Sequence, residues 1–431
     1  MSVLGSLPRE QAPVETPAVT PPVHLSLDHT LGLLLDPYGF VQERARELGT
    51  DIFETRLLLR KTTCMTGADA AAVFYDQSLF ERHQAAPRRL MVTLFGQKGV
   101  QSLDGERHRA RKALFMSIMT PLGRRRLSEM AEARWRERIP LWAGLPRVVL
   151  YEEVSQLLCQ AVCDWTGVVL TPRQVPHVTS MLQSLIEGPA ALGPRYLRGR
   201  IERVQGDRWA AGLIRQARAR PERHEGTVLG LFAGHRDTDG RPLPAGVAAV
   251  ELLNVLRPTV AVARFITFAA MALHADPRHH ERIRAGDETF LEYFVQEVRR
   301  FYPFFPMVAA KVATPFDWRG HHFPRGRRVL LDLQGIDHDP RLWERPCEFR
   351  PERFAHWDGG AFDFVPQGGG DHYEGHRCPG EWITIDLMKV AVTALTRWMT
   401  YRVPAQDLRI QRWRAPAIPN SRFVINQVSA G

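Results

Sequence analysis

Residues Phe362–Trp382 read FDFVPQGGGDHYEGHRCPGEW. Three consecutive glycines, Gly368 to Gly370, open backbone conformations that residues with a side chain avoid. The chain then runs Gly375-His376-Arg377-Cys378-Pro379-Gly380. Beyond it, Trp382, Ile383, Leu387, Val390, Ala391, Ala394, Leu395 and Trp398 recur mostly at helical spacings, which predicts a helix. Pro379 suits a first helical turn, where its missing N–H costs nothing. Cys378 is therefore placed where a glycine-rich loop enters a helix. The unpaired N–H groups and the dipole of a helix start stabilise a thiolate. A thiolate flanked by glycines that admit a flat group is a suitable axial ligand for haem iron. Two other readings stay open on the residues alone: a buried cysteine in a helix-start turn, and zinc held by His372, His376 and Cys378. Structural zinc usually shows paired C-x-x-C or H-x-H groups with a fourth ligand, and no C-x-x-C exists here.

The chain has 431 residues, 44% of them apolar, enough for a large core. Five scattered cysteines, Cys64, Cys159, Cys163, Cys347 and Cys378, make no disulfide framework and point to a reducing compartment. The N-terminus lacks a signal pattern, and the apolar run Val262–Leu273 is interrupted by Arg264, so a soluble cytoplasmic protein is expected. The net charge of +10 could mean an anionic partner such as nucleic acid. Yet the arginines are dispersed, with Arg124-Arg125-Arg126 as the one short run, and no basic tail or interleaved aromatic patch accompanies them. Solvated helix faces, and arginines held by an acidic ligand, fit better.

Residues 1–23 carry Pro8, Pro13, Pro17, Pro21 and Pro22 and read as a disordered tail. Residues 24–431 read as one domain. Asp36-Pro37 reads as the start of a helix ending at Gly49. Ile52–Leu59 and Thr62–Met65 read as a hairpin, and Ala68–Tyr75 as helix. Phe80–Leu103, poor in periodicity, reads as loops lining a site. Helices are expected over His108–Met119, Arg124–Trp142, Glu153–Trp165, Val175–Ile186, Arg195–Arg218, Arg282–Arg284 and Phe290–Phe301. Pro221–Pro244 reads as a polar connector. Ala245–Leu273 reads as one long helix through the core, since it is apolar nearly all round. Strands are expected in Val308–Leu333 and Leu408–Val428. The fold class is mainly α with a minor β region.

The run GHRCPG resembles the cysteine loop of the haem-thiolate cytochromes P-450. The longer phrase QGGGDHYEGHRCPGEW resembles one branch of them, the bacterial fatty-acid peroxygenases. Other members usually have a shorter loop with phenylalanine seven residues before the cysteine; here that position is Asp371. The resemblance covers nearly everything from Asp28 onward and implies the P-450 fold, haem b ligated by Cys378, and an enzyme. Glu297 and Arg300 share a helix face, and with Arg353 they match the E-x-x-R pair and its partner arginine, a buried structural network. By the same resemblance His108 and His376 would meet haem propionates. Lys112 stands where most of the superfamily has arginine, and a solvated basic residue is the plain alternative for each. Phe95, Phe304 and Met307 match wall positions of the fatty-acid channel, with core packing an equal reading.

Asn254-Val255-Leu256-Arg257-Pro258-Thr259 lies inside the long apolar helix. Proline there removes a hydrogen bond and crowds the preceding turn, at about 3 kcal/mol or more. A buried arginine needs a partner. No neighbouring acid on this helix is an evident candidate, Glu251 being nearly two turns away. A kinked helix aiming a guanidinium at an acidic ligand makes sense of both residues; an arginine paired with a distant acid is the alternative. Oxygen-using P-450 enzymes usually carry an acid-threonine pair where Arg257-Pro258 stands. The replacement matches the peroxygenases, in which an arginine holds the fatty-acid carboxylate and the carboxylate does the acid-base work with hydrogen peroxide. An anchored carboxylate brings the α and β carbons nearest the oxidant. Gln101 matches a polar position over the haem, glutamine in many hydroxylating members and histidine in some decarboxylating ones. The resemblance thus implies peroxide-dependent α- or β-hydroxylation of fatty acids without a redox partner. Oxidative decarboxylation to terminal alkenes, a non-enzymatic haem-thiolate sensor or fatty-acid carrier, and a basic nucleic-acid binder are the alternatives.

Overall fold

The computed structural model describes Pro22, residues 27–189, Ala191 and residues 193–431. The expected tail, Pro22 apart, lies outside the described residues. Helices build the largest core. Leu150–Thr166 shows how: Val154, Leu157, Leu158, Ala161, Val162 and Trp165 recur at helical spacing and all are buried. Each large apolar side chain so buried contributes about 1.5–3 kcal/mol. Gly167 ends this helix at φ 81°, a left-handed turn that glycine takes without strain. Val175–Glu187, Pro194–Ala219, Ala245–Ala261, Ala263–Ala275, Glu288–Phe301 and Glu381–Thr393 pack around it.

The strands are β1 (Ile52–Leu57), β2 (Arg60–Met65), β3 (Phe80–Glu81), β4 (Val148–Val149), β5 (Met307–Val312), β6 (Phe316–Trp318), β7 (His321–Phe323), β8 (Arg328–Asp332), β9 (Met399–Arg402) and β10 (Val424–Ala430). Five form one sheet in the order β1-β2-β8-β5-β3, where only β2 and β8 run parallel. β4-β10-β9 and β6-β7 form two smaller sheets.

Several expectations need correction. Phe80–Leu103 is not simply loop: it holds β3, a short helix at Arg88–Leu90, a π-turn at Met91–Phe95 and a 3-10 turn at Val100–Ser102. Turns this short leave no periodicity to read. The stretch 408–423 carries only an isolated bridge between Ile410 and Pro419, and its expected strands reduce to β10. The first long helix begins at Phe40, because Asp36 Oδ1 accepts from the Tyr38 and Gly39 N–H groups and closes a turn first. The long core helix divides at Val262, not at Pro258. Proline removes only its own N–H bond, and the neighbouring turns hold.

Ala245–Ala275 is, by length and composition, apolar enough to cross a membrane, which the interrupted run in the sequence did not indicate. It is mostly buried inside this fold instead. All five cysteines are free, and only Cys347 is exposed.

Asp332 ends β8 and caps the Leu333–Asp337 helix. Its Oδ1 accepts from Gly335 N at 2.9 Å, while Oδ2 is buried without a partner. Burial pushes this carboxyl up to about 7. A group raised in this way stabilises the fold fully below its unfolded value near 3.8 and loses that contribution as pH rises through about 7. Asp332→Asn keeps the cap and removes the charge. Thermal melts should show its stability relative to wild type improving between pH 5 and pH 8, on the order of 2–4 kcal/mol.

Candidate active site

Gly368 and Gly370 stand at φ 94° and 79°, and a Cβ on Gly368 would lie 3.0 Å from the Tyr75 hydroxyl. Those two glycines let the loop fold tightly against Tyr75 before it delivers Cys378. The Cys378 N–H donates to Gln367 O at 3.1 Å, and Gln367 Nε2 lies 3.7 Å from Sγ. The helix beyond begins at Glu381 with Gly380 as its cap. Pro379 is thus ahead of the helix rather than in its first turn, because Cys378-Pro379-Gly380 closes a turn of its own, Glu381 N to Cys378 O at 3.4 Å. Burial raises the Cys378 thiol; the Gly380 N–H pulls the other way, as a helix start should.

Charged side chains hold the loop from behind. Glu381 accepts from Arg377 Nε at 2.6 Å and from Arg299. Burial raises its pKa, but Arg299 and Arg377 outweigh that and keep it below the usual range. Lys112 is fully buried, and its Nζ donates to Gly375 O at 3.0 Å and to Arg377 O. This rules out the solvated-lysine reading and makes Lys112 a tie on the cysteine loop. Burial pushes it down to about 8. His372 stacks on Trp382, with ring centroids 4.0 Å apart.

The structure brings Glu297, Arg300 and Arg353 together. Arg300 donates to both Glu297 oxygens, at 2.7 and 2.8 Å, and Arg353 Nε donates at 3.2 Å. Glu297 and Arg300 are wholly buried. Arg300 also donates to the carbonyls of Asp337 and Pro346, so every charge in the cluster is met.

His108 and His376 stack at 3.8 Å. His108 Nδ1 is buried without a partner. Burial pushes His108 down to about 4 and His376 well below its ordinary value, with Arg82 and Lys112 adding to both. Four basic groups converge here, and the nearest carboxylate, Asp104, lies 3.8 Å from His376. Such a cluster calls for anionic groups, and the two propionates of a haem would supply them. With a buried cysteine thiol in a glycine loop nearby, the residues present fit a haem.

Arg257 is 5% exposed and makes no ion pair with any described acid. Its Nη1 is buried without a partner. Burial, then the charge of Arg203, push it down to about 9, while Cys378 acts in the opposite sense. Glu251 is excluded as its partner: Arg111 Nη1 donates to Glu251 Oε1 at 2.6 Å. Asn254, one turn before Arg257, donates through Nδ2 to Glu251 Oε2 and to Gln101 Oε1, both at 3.1 Å. Gln101 is thereby tied to the helix that bears Arg257, with its own amide N–H groups left to donate. Pro258 follows within the same helix.

Phe304 is buried against Phe265, with centroids 4.4 Å apart. Phe95 is half-buried at the end of its π-turn. Met307 packs on a different cluster, with Phe40, Val41 and Leu330, so Phe304 and Met307 do not share one packing cluster. Sequence reading missed Gln367, Glu381, Arg82, Asn254 and Arg203. Arg377 and Glu381, and likewise Arg203 and Asp207, stand at helical i, i+4 spacing, a usable signal; the contact of Asn254 to Gln101 lies far off in sequence and leaves none.

A buried cysteine loop backed by paired charges, under a mainly helical fold, defines a haem-thiolate oxidoreductase. The cytochrome P450 family model matches residues 287–411. A solved variant of cytochrome P450SP alpha is 48% identical, with a TM-score of 0.91, over 94% of this chain and 99% of that one. Cytochrome P450EX alpha with myristic acid is 40% identical, TM-score 0.92, over 96% and 100%. Cytochrome P450 OleT, ligand-free, is 33% identical, TM-score 0.91, over 95% and 99%. Among curated proteins, a putative cytochrome P450 120 of Synechocystis is 25% identical over 89% of this chain and 90% of its own length. The chain belongs to the cytochrome P450 family. Within it, the chain falls in the bacterial fatty-acid peroxygenase branch, and its cofactor is haem with a cysteine thiolate as axial ligand.

The reduced carbon-monoxide complex should show the red-shifted Soret band of thiolate ligation, and Cys378→Ala should abolish it. Persistence of the band in that variant would exclude Cys378 as the ligand. Glu297→Ala leaves Arg300 buried and unpaired. Denaturant unfolding should show a loss of about 3–5 kcal/mol.

Proposed function

We propose that this protein hydroxylates fatty acids at the α and/or β carbon with hydrogen peroxide, as a single domain that needs no redox partner. The observation carrying this reading is Arg257: a buried guanidinium with no acid of its own, on a helix that also presents Asn254 to Gln101. A related structure was solved with myristic acid, which supports a fatty acid as the partner. Five unpaired cysteines support a reducing, cytoplasmic setting.

The haem, when bound, supplies the oxidising chemistry, with Cys378 as its ligand and His108, His376 and Arg82 toward its propionates. Arg257 holds the substrate carboxylate through a charge-assisted fork. Pro258 stands in place of the residue that would otherwise handle protons. The held carboxylate takes a proton from one oxygen of hydrogen peroxide and returns it to the departing oxygen. Anchoring the carboxylate brings Cα and Cβ nearest the oxidant. Phe95 and Phe304 line the path of the tail, whereas Met307, packed with Phe40 and Val41, stands apart from it. Gln101 donates a hydrogen bond but takes up no proton near neutral pH, which favours hydroxylation over decarboxylation to alkene.

Peroxide alone should support turnover, and catalase should remove any activity driven by a reductase and NADPH. Reductase-driven activity that survives catalase would overturn the reading. Arg257→Ala should weaken fatty-acid binding roughly tenfold or more, from a contact contributing about 1.5–3 kcal/mol. Arg257→Lys should recover part of this; calorimetric titration checks both. Gln101→His should raise the alkene fraction in product analysis, since histidine both accepts and donates a proton near neutral pH.

A further inference from the structure

A second set of arginines leads from the surface toward Arg257. A cavity of about 310 Å³ opens between the Arg88–Phe95 turns and the Pro194–Ala219 helix, lined by Arg88, Arg89, Val92, Gln97, Tyr196 and Arg200. Neither Arg88 nor Arg200 pairs with an acid among the described residues. Arg89 lies over the Tyr196 ring at 4.4 Å, and its Nε is buried without a partner. Beside Tyr196 and Arg200 on the same helix, Leu197, Ile201 and Val204 form an apolar stripe, 61%, 51% and 44% exposed. A cationic pocket next to an exposed apolar stripe matches an amphiphile with an anionic head and an alkyl tail.

The charge continues inward. Arg203, one turn beyond Arg200, is 2% exposed. Its Nε donates to Asp207 Oδ2 at 3.1 Å, while Nη1 is buried without a partner. It packs against Gly96, next to Gln97 of the pocket: a Cβ on Gly96 would lie 2.2 Å from Arg203 Nη2 and 2.8 Å from Val250 Cγ1. Val250 stands two turns before Arg257 on the apolar helix.

We infer that the Arg88/Arg200 pocket is a docking site for the fatty-acid carboxylate, and that Arg203 meets the carboxylate on its way to Arg257. This inference rests on the proposal that Arg257 holds a fatty acid. Taking a bare carboxylate out of water costs several kcal/mol. Guanidinium groups along the path offset that cost, and cations at the mouth raise the encounter rate. A rate gained in this way falls with ionic strength.

The test is stopped-flow association of myristic acid and of its methyl ester with the haem-loaded protein, at low and high sodium chloride. Wild type is compared with the double variant Arg88→Gln/Arg200→Gln and with Arg203→Lys, after thermal melts establish folding. The acid should associate with wild type at a salt-sensitive rate. In the double variant that rate should drop on the order of tenfold and lose its salt dependence. Arg203→Lys should retain salt dependence, because the charge stays. The ester, which lacks the charge, should associate alike with wild type and the double variant. Equal rates and equal salt slopes for the acid in wild type and the double variant would overturn the docking site, as would an equal loss with the ester. Wild type that binds no myristic acid would instead overturn the proposed function on which this rests.

Discussion

An arginine with no acid among the described residues sits in an apolar helix of the core. Burying a guanidinium in such a place is costly unless an anion meets it. The nearby carboxylates are committed elsewhere: Glu251 to Arg111, Asp207 to Arg203 and Glu381 to Arg299 and Arg377. Among the described residues, Arg257 is therefore left without a carboxylate partner, close to the cysteine loop. Under the proposed function, the ligand would be part of the electrostatic design, its carboxylate supplying the missing half of a buried pair.

The opposite strategy holds the cysteine loop. There the charges are fully met, and they join segments far apart in the chain. Glu297 ties Arg300 to Arg353, and Arg300 reaches the backbone at Asp337 and Pro346. Glu381 joins the helix after the cysteine to the one bearing Glu297. Lys112 joins the loop to the helix on its other side. A loop containing three consecutive glycines has little stiffness of its own. These contacts replace that stiffness from outside, so Cys378 is fixed although the loop that leads to it is rich in glycine.

Much of the site was legible along the chain. The cysteine loop, the Glu297 and Arg300 spacing, and the Arg257-Pro258 anomaly are local patterns, and each stood out against ordinary helix or turn chemistry. What escaped reading depends on distant partners. The Gln101 contact to Asn254 spans 153 positions and the Arg111 contact to Glu251 spans 140. Lys112 read as an uncertain propionate partner because its carbonyl acceptors lie on the cysteine loop, remote in sequence. The Phe80–Leu103 turns were missed because each holds too few residues to repeat a pattern.

The sequence by itself determined residue chemistry and local periodicity: which segments are helical, where a thiol stands in a glycine loop, and that an arginine and a proline interrupt an apolar helix. Only the tertiary structure decided which of the many cations are neutralised and which remain free. Arg111, Arg203, Arg257 and Arg264 are all buried arginines. Arg111, Arg203 and Arg264 find carboxylates and Arg257 does not. Desolvation and Coulomb attraction depend on distance in space, which sequence separation does not encode. The unpaired guanidinium of Arg257 therefore arises from what the fold leaves beside it.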